Sequence, residues 1–356
     1  VGDKHWLGEE ERDNYTKAGL AHLLSISGLH IAFIAYMLKY IFKALNIKDR
    51  ANDIICSIFI TYYVLMIGAP PPALRSLIMM FVLIWGKYLK REYDMAASAS
   101  FAAILMLLYN PFLIHNQGFI ISFGCIYSIA FLYKPIYKYL GNFIFFLPLR
   151  KAFALSLSIQ FGIAPILIYY FNYLSIINIF INIIAVPIAF IIIAAGFTGV
   201  ILGGFSPVLG VYIFSVDYYF IAMLSKITKT AISLPLSGFF IPSLSLFFYL
   251  LYYGIIAAII FKENDIGVYL RRQKYCLILI LVVFFLIILN KYIINDSTRI
   301  VFIDVGQGDS SLITTSRGKH ILIDGGGSIN KNEYYYDVGA KVTVPALLKL
   351  GVWNID

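Results

Sequence analysis

Long apolar segments recur along almost the whole chain, and this feature limits the possible folds more than any other. Each segment is long enough, as a helix, to cross roughly 30 Å of membrane hydrocarbon. Of the 356 residues, 60% are hydrophobic and only 13% are charged, whereas a soluble domain carries about 25% charged residues. The sequence therefore predicts a polytopic α-helical membrane protein.

About ten membrane segments are predicted from hydropathy and length. They lie near residues 24–43, 53–69, 73–89, 95–114, 118–133, 152–171, 175–203, 208–231, 242–261 and 275–294. The segment near 175–203 is long and contains Pro187 and Gly196. We expect it to be the one broken or re-entrant helix, because membranes tolerate such interruptions where protein or a water-filled cavity satisfies the backbone.

Lysine and arginine cluster in alternate loops between these segments. The intervening loops, such as 68–72 and 109–117, contain neither residue, and only Lys226 and Lys229 disagree with the pattern. Because positive charge favours the cytoplasmic side of a membrane, both ends of the chain are predicted to lie outside the cytoplasm. The net charge of +9 is then mostly explained by the orientation of the loops across the membrane. It does not by itself indicate a nucleic-acid partner.

The composition changes after residue 297. Short β-branched segments alternate there with turn sequences, which predicts three strands. The strands are expected at 299–305, 310–315 and 319–324. A short helix is predicted at 344–351, with a proline in its first turn and a glycine at its end. The chain is therefore divided into a membrane domain, 1–297, and the beginning of a soluble domain, 298–356.

The first membrane segment is unusually polar. Its candidate functional residues are His22, Ser25, Ser27, Gly28 and His30. The two histidines lie roughly 12 Å apart along a helix axis, too far to share a metal ion. Polar groups inside membranes usually face a cavity or a pathway, although the serines alternatively bond to backbone carbonyls while the histidines lie at the interface. The Ser-x-Ser-Gly sequence also favours local unwinding of the helix.

Arg75 falls in the first turn of the third segment, at the end predicted to lie outside. It is either a snorkelling interface anchor or an anion contact reinforced by the helix N-terminus. Further polar candidates at or inside the segments are Gln117, Gln160, Asn178 and Asn182. An amide between helices is often only a packing contact, but together these residues predict helices that line a hydrated path.

Several motifs occur here in the same order as in the ComEC family of competence channels, which the chain resembles over nearly its whole length. They are HLLSISGLH (22–30), PPALRSLIMM (71–80), NPFLIHNQGFIISF (110–123), QFGIAPILIYYFNYLSIINIFINIIAVP (160–187), FIDVGQGDSSLI (302–313) and HILIDGGG (320–327). The resemblance implies a competence transmembrane domain followed by an incomplete α/β metallo-β-lactamase-like domain. It also implies that an oligonucleotide-binding-type domain normally precedes the first motif.

The resemblance places the family's metal motif just beyond Asp356, so no metal ligand, cofactor or catalytic residue is predicted in this chain. A divalent metal, zinc or manganese, is expected only in a full-length β-lactamase-like domain. Four residues match the family's loop segments and would support such a site from outside its ligand set. They are Asp304, Gln307, Asp309 and Asp324. Whether the complete protein is an enzyme is left open.

The predicted function is a multi-pass channel of the bacterial inner membrane that carries single-stranded DNA into the cytoplasm during natural transformation. By resemblance, its partners are single-stranded DNA, the lipid bilayer, a DNA receptor and a cytoplasmic ATPase; no oligomeric state is predicted. Two alternatives are a small-solute secondary transporter, in which broken helices are also expected, and a membrane-anchored metallo-hydrolase. The first segment is predicted to line the DNA path with its polar residues.

Overall fold

The computed structural model describes residues 8–235, 237–261, 297–331 and 334–356. Two compact units divide the chain. One contains Val1–Ala164 and Ser175–Phe239, and the other contains Pro165–Leu174 and Phe240–Asp356. This division does not test the domain boundary predicted near residue 297, which stays a prediction.

The first unit is built from α-helices. In chain order they are α1 (Glu9–Lys17), α2 (Ala21–Leu24), α3 (Gly28–Ala44), α4 (Asp49–Met66), α5 (Pro71–Tyr88), α6 (Met95–Tyr109), a 3-10 helix (Pro111–His115), α7 (Gln117–Leu140), α8 (Leu147–Phe171), α9 (Asn178–Phe205) and α10 (Pro207–Ile232). Asp94 and Asn116 cap α6 and α7 by accepting the backbone N–H groups of Ala97 and Phe119. These caps set where α6 and α7 begin.

Every predicted membrane segment that falls on described residues coincides with a helix; the segment near 275–294 lies outside them. In the part of the chain that the structure describes, four helices are long and apolar enough to cross a membrane: α7, α8, α9 and α10. A mostly helical, apolar architecture is therefore confirmed. The count of ten spans stays a prediction.

Side-chain contacts show that successive helices run in alternate directions. Asp53, in the second turn of α4, contacts Lys39 near the end of α3 and Lys87 at the end of α5. At the opposite end, the start of α5 packs on the start of α7, where a methyl group on Gly118 would lie 3.7 Å from Pro72. The helices α3, α4 and α5 therefore follow one another in up-and-down order, and α7 begins at the same end as α5.

Helix α1 explains the position of one of the two lysines that disagreed with the charge pattern. Lys229 of α10 pairs with Glu10 of α1 at 3.5 Å, and Glu11 accepts a hydrogen bond from Ser225 at 3.0 Å. Because exposed ion pairs contribute little, apolar packing holds α1 in place. The apolar cluster beneath it includes Tyr15, Ala18, Leu20, Ile181, Ala185, Ile188, Leu224 and Ala231.

Helix α9 is continuous from Asn178 to Phe205, so the prediction of a broken helix at 175–203 is wrong. A proline removes only one backbone donor, and neighbouring helices commonly compensate for it in membrane helices. The glycines of α9 allow close approach instead of a break, because α10 lies directly against them. A Cβ atom on Gly199 would lie 2.9 Å from Phe214, and one on Gly210 would lie 2.9 Å from the Cα atom of Gly203.

The interruption occurs in the first segment. Helix α2 ends at Leu24, Ser25 and Ser27 are extended, and α3 begins at Gly28. The local unwinding favoured by the Ser-x-Ser-Gly sequence is therefore confirmed.

Strands appear after α8, after α10 and in the C-terminal region. They are β1 (Tyr173–Ser175), β2 (Gly238–Phe240), β3 (Arg299–Phe302), β4 (Ser311–Thr314), β5 (His320–Ile323), β6 (Ser328–Lys331) and β7 (Tyr334–Asp337). The sheets are β1–β2, the antiparallel β3–β4–β5 and the β6–β7 hairpin. Two further helices are α11 (Leu246–Phe261) and α12 (Val344–Lys349), the latter preceded by a π-helical turn, Gly339–Thr343.

The three predicted C-terminal strands and the helix after residue 344 are confirmed, whereas the β6–β7 hairpin was not predicted. Leu312, Leu347 and Val352 form a small buried cluster beneath the three-stranded sheet. Val301, Ile303 and Leu322 are partly buried and pack against this cluster. The assignment of this region to the metallo-β-lactamase-like fold stays a prediction.

Candidate functional site

His30 holds the interruption between α2 and α3 in place. Its Nδ1 atom accepts the backbone N–H of Ser27 at 3.3 Å and lies 2.9 Å from the Ser27 hydroxyl. The ring is buried, at 6% exposed for the residue. Because Nδ1 acts as an acceptor, the geometry assigns the proton to Nε2. These contacts therefore stabilise the gap between α2 and α3 as part of the fold.

Arg75, on α5, reaches this gap from the neighbouring helix. Its guanidinium donates to the backbone carbonyl of Ser122 in α7 and to the Ser76 hydroxyl at 3.3 Å. A methyl group on Gly28 would lie 2.5 Å from the Arg75 Nη2 atom, and it would also clash with the Ser76 Oγ atom. Phe123 places its ring 6.0 Å from the guanidinium carbon. The first residue of α3 therefore packs directly on the arginine.

The charge of Arg75 is buried without a counter-ion in the described part of the chain. The residue is 7% exposed, and its Nε atom has no hydrogen-bond partner among the described residues. No carboxylate pairs with it among the described residues, whose ion pairs lie elsewhere. A snorkelling anchor keeps its head group in water, and this buried guanidinium does not. A buried charge without a counter-ion is unfavourable by several kcal/mol.

A second polar cluster is a chain of amides between α8 and α9. Gln160 donates to the backbone carbonyl of Ser175 at 2.9 Å and accepts from Asn178 at 3.3 Å, and Asn178 accepts from Asn182 at 2.5 Å. This chain of amides ends at the Asn182 Oδ1 atom, which is buried and has no partner among the described residues. The turn before α2 packs on the middle of the chain, since a methyl group on Gly19 would lie 2.6 Å from Asn178.

The structure brings the predicted site residues together in these two groups. Ser27, Gly28 and His30 lie at the gap with Arg75, and Ser25 lies in its extended backbone. Gln160, Asn178 and Asn182 form the amide chain, and no hydrogen bond joins the two groups within the described residues. Two candidates stand apart. His22 is exposed and contacts the Gly19 carbonyl, and Gln117 is exposed at the first position of α7.

Sequence reasoning did not identify the partners of these residues. The Ser122 group that accepts from Arg75 is a backbone carbonyl, which any residue type supplies. Sequence reasoning also assigned no role to Asp217 of α10. It is buried beside Gly196, and its Oδ1 atom has no hydrogen-bond partner among the described residues. An acidic residue in an apolar helix is the sequence signal that could have identified it.

The four loop residues of the C-terminal region are exposed and belong to turns. Asp304 accepts the Gly306 N–H at 3.2 Å, and Asp324 accepts the Gly325 and Gly326 N–H groups at 2.6 and 3.1 Å. Gln307 and Asp309 lie in the exposed part of the same turn as Asp304. No cluster of metal-ligating side chains occurs in the ranges that the structure describes. Asp304 and Asp324 each stabilise the backbone of their own turn through one carboxylate oxygen.

The long apolar helices and the polar side chains buried between them define a membrane protein with an interior cationic site. Over residues 1–265 the chain matches the family model described as Competence protein. It therefore belongs to the Competence protein family.

Three curated proteins are similar to this chain. ComE operon protein 3 of Bacillus subtilis is 28% identical over 100% of this chain and 46% of its own length. Recombination protein 2 of Haemophilus influenzae is 24% identical over 52% of this chain and 25% of its own length. Uncharacterized protein YcaI of Escherichia coli is 25% identical over 53% of this chain and 26% of its own length. This chain thus spans less than half the length of each relative. No solved structure matches it.

Proposed function

We propose that this chain forms the membrane part of a channel that carries single-stranded DNA across the bacterial inner membrane into the cytoplasm during natural transformation. The observation that carries the proposal is the buried Arg75 guanidinium, which has no counter-ion among the described residues and packs on Gly28 at the gap in the first segment. Membership of the Competence protein family supports it, as does the similarity to a protein named for the ComE operon.

The chemistry of a single strand fits the two polar groups. Its phosphates require positive charge or N–H donors, and Arg75 offers a charged donor whose Nε atom is unsatisfied. The amide chain ends in an unpaired acceptor on Asn182, which suits a hydrated wall. Such sparse contacts suit transport, because a strongly basic path would retain a polyanion. The aromatic residues, 27 Tyr and 29 Phe, mostly pack or lie at interfaces.

We propose that the end of the helices carrying Lys39 and Lys87 is cytoplasmic and that both chain ends are extracytoplasmic. Reporter domains inserted in the 44–52 loop are then expected to report the cytoplasm, and reporters after residue 297 the outside. The measurement is paired alkaline phosphatase and fluorescent-protein activity at each site. A cytoplasmic signal from a fusion at Gly327 would overturn this orientation.

The function is tested with the full-length protein in proteoliposomes. We expect labelled single-stranded oligonucleotides to enter, while double-stranded DNA of the same length and labelled amino acids do not. The control is liposomes that contain an unrelated membrane protein at the same density. Entry of the small solutes without the oligonucleotide would favour a secondary transporter and contradict the proposal.

In the longer protein, residues 298–356 are proposed to begin a metallo-β-lactamase-like domain, with zinc or manganese bound by residues outside this chain. A DNA receptor and a cytoplasmic ATPase are proposed as its partners. The anchored-hydrolase alternative makes no use of Arg75, so the substitutions of Arg75 described in the Discussion separate it from the channel.

A further inference from the structure

A cavity of about 300 Å³ lies at the end of the helices opposite to Arg75. It lies between the end of α3, the start of α4, the end of α5 and the loop that follows α5. Its charged wall is formed by Lys39, Asp53, Lys87 and Arg91. The DNA path proposed above does not use any of these residues.

The charged residues of the cavity are organised around one buried carboxylate. The Asp53 side chain is 5% exposed and binds the Lys39 ammonium at 2.7 Å and the Lys87 ammonium at 3.1 Å. The Tyr88 hydroxyl donates to the same carboxylate at 3.1 Å. Asp53 therefore fixes both lysine head groups at the cavity wall, and each ammonium keeps further N–H donors for a ligand.

Positive charge exceeds negative charge in this wall. Lys39, Lys87 and Arg91 contribute three positive charges and Asp53 contributes one negative charge, which leaves two positive charges. The Lys39 and Lys87 side chains are 37% and 57% exposed, so a ligand can approach both. The Arg91 side chain forms no ion pair among the described residues. An anion with several acceptor oxygens, such as a phosphate group, matches this arrangement.

The surroundings of the cavity are apolar and aromatic. Leu83 and Tyr93 complete part of its lining. Leu83 and Leu89 are exposed on the adjoining helix surface, with Tyr88 partly exposed beside them. Tyrosines next to basic residues at the end of membrane helices are typical of the lipid–water interface. A ligand with a phosphate head and hydrocarbon chains would contact both parts of this surface.

We propose that this cavity binds the phosphate headgroup of an anionic phospholipid, with the acyl chains along the adjoining apolar surface. Basic pockets between membrane helices bind such headgroups through the same combination of charge and apolar contact. The site would anchor the ends of α3, α4 and α5 at the membrane surface. This proposal does not depend on what the chain transports.

The test measures phospholipid binding to the full-length protein in detergent, by native mass spectrometry and by the shift in unfolding temperature. Phosphatidylglycerol is expected to bind and to raise the unfolding temperature more than phosphatidylcholine of the same chain length. Inorganic phosphate alone is expected to give little shift. Equal effects of the two lipids, or an effect of inorganic phosphate as large as that of phosphatidylglycerol, would overturn the proposal.

The variant Arg91→Gln removes one cavity charge without breaking an ion pair of the described residues. It is expected to weaken phosphatidylglycerol binding about fivefold, the effect of one basic residue near an anionic membrane surface. Lys43→Gln, at the exposed end of α3 and outside the cavity, is the matched control and is expected to bind as the wild type does. An equal loss in both variants would indicate diffuse surface charge and refute the site, as would preferential binding of a single-stranded oligonucleotide.

Discussion

Replacing Arg75 by methionine is expected to reduce transformation about 10- to 100-fold, while the unfolding temperature of the protein stays the same or rises. The functional loss corresponds to one charge-assisted contact to a phosphate, worth about 1.5–3 kcal/mol. The unchanged or higher unfolding temperature follows from the burial of the arginine. Arg75 is 7% exposed and has no carboxylate partner among the described residues, and an apolar side chain of similar length avoids the desolvation of its charge.

The measurement is transformation frequency in a strain that carries the full-length gene, normalised to membrane levels of the protein. Arg75→Lys is expected to retain part of the activity, since lysine keeps the charge but not the planar set of donors. A structural role of the arginine predicts instead that stability and transformation fall together in Arg75→Met. Normal transformation in that variant would remove Arg75 from the DNA path.

Gly28 allows an independent perturbation of the same arginine. The substitution Gly28→Ala is expected to lower transformation as well, because the added methyl group would lie 2.5 Å from the guanidinium and displace it. Gly204→Ala is the matched control, since a methyl group at that helical glycine has nothing within 4 Å. Equal effects of the two substitutions would contradict the packing of Gly28 on Arg75.

The substitution Gln160→Leu is expected to remove most of the folded protein from the membrane. It would leave the buried Ser175 carbonyl and the half-buried Asn178 amide without these partners, at about 1–3 kcal/mol for each group when fully buried. That sum is a large part of a total stability of about 5–15 kcal/mol. Membrane abundance and the unfolding temperature after mild detergent extraction are the measurements.

Asn182→Leu is the matched substitution at the other end of the amide chain. It removes an oxygen that already lacks a partner while leaving Asn178 Oδ1 without a donor, so the two effects on stability nearly offset each other. We expect near-normal abundance and reduced transformation, because a hydrated wall loses a polar group. If Asn182→Leu destabilises the protein as much as Gln160→Leu does, the amides act only as packing contacts between α8 and α9.

Much of the secondary structure was predictable because the hydrophobic effect acts on local sequence. Apolar segments predicted the membrane helices, and β-branched segments between turns predicted β3, β4 and β5. The prediction failed at α9, where Pro187 and Gly196 were interpreted as breaks. Local sequence does not reveal that α10 lies so close to α9 that a Cβ atom on Gly210 would lie 2.9 Å from the Cα atom of Gly203.

The site was predictable as a set of polar residues in apolar segments, but its arrangement was not. Ser122 lies 47 positions after Arg75 and accepts its hydrogen bond through the backbone carbonyl. Every residue has such a carbonyl, so the sequence does not indicate which one accepts the bond. The charged cavity at Asp53 was missed for a related reason. Lys87 was interpreted as a topological charge and Lys39 was given no role, and only the packing of α3, α4 and α5 brings both lysines to one carboxylate.

The sequence by itself determined the class of the protein, the positions of most helices and the gap after α2. These features depend on the free energy of transferring apolar segments from water and on local backbone preference, and both are set by residues close together in the chain. Only the tertiary structure decided which polar groups remain unpaired. Arg75 and Asn182 became candidate contacts because the helices around them supply too few partners, whereas His30 closes the gap by satisfying its backbone. Whether a buried polar atom is satisfied depends on residues distant in the chain, and hydropathy carries no information about them.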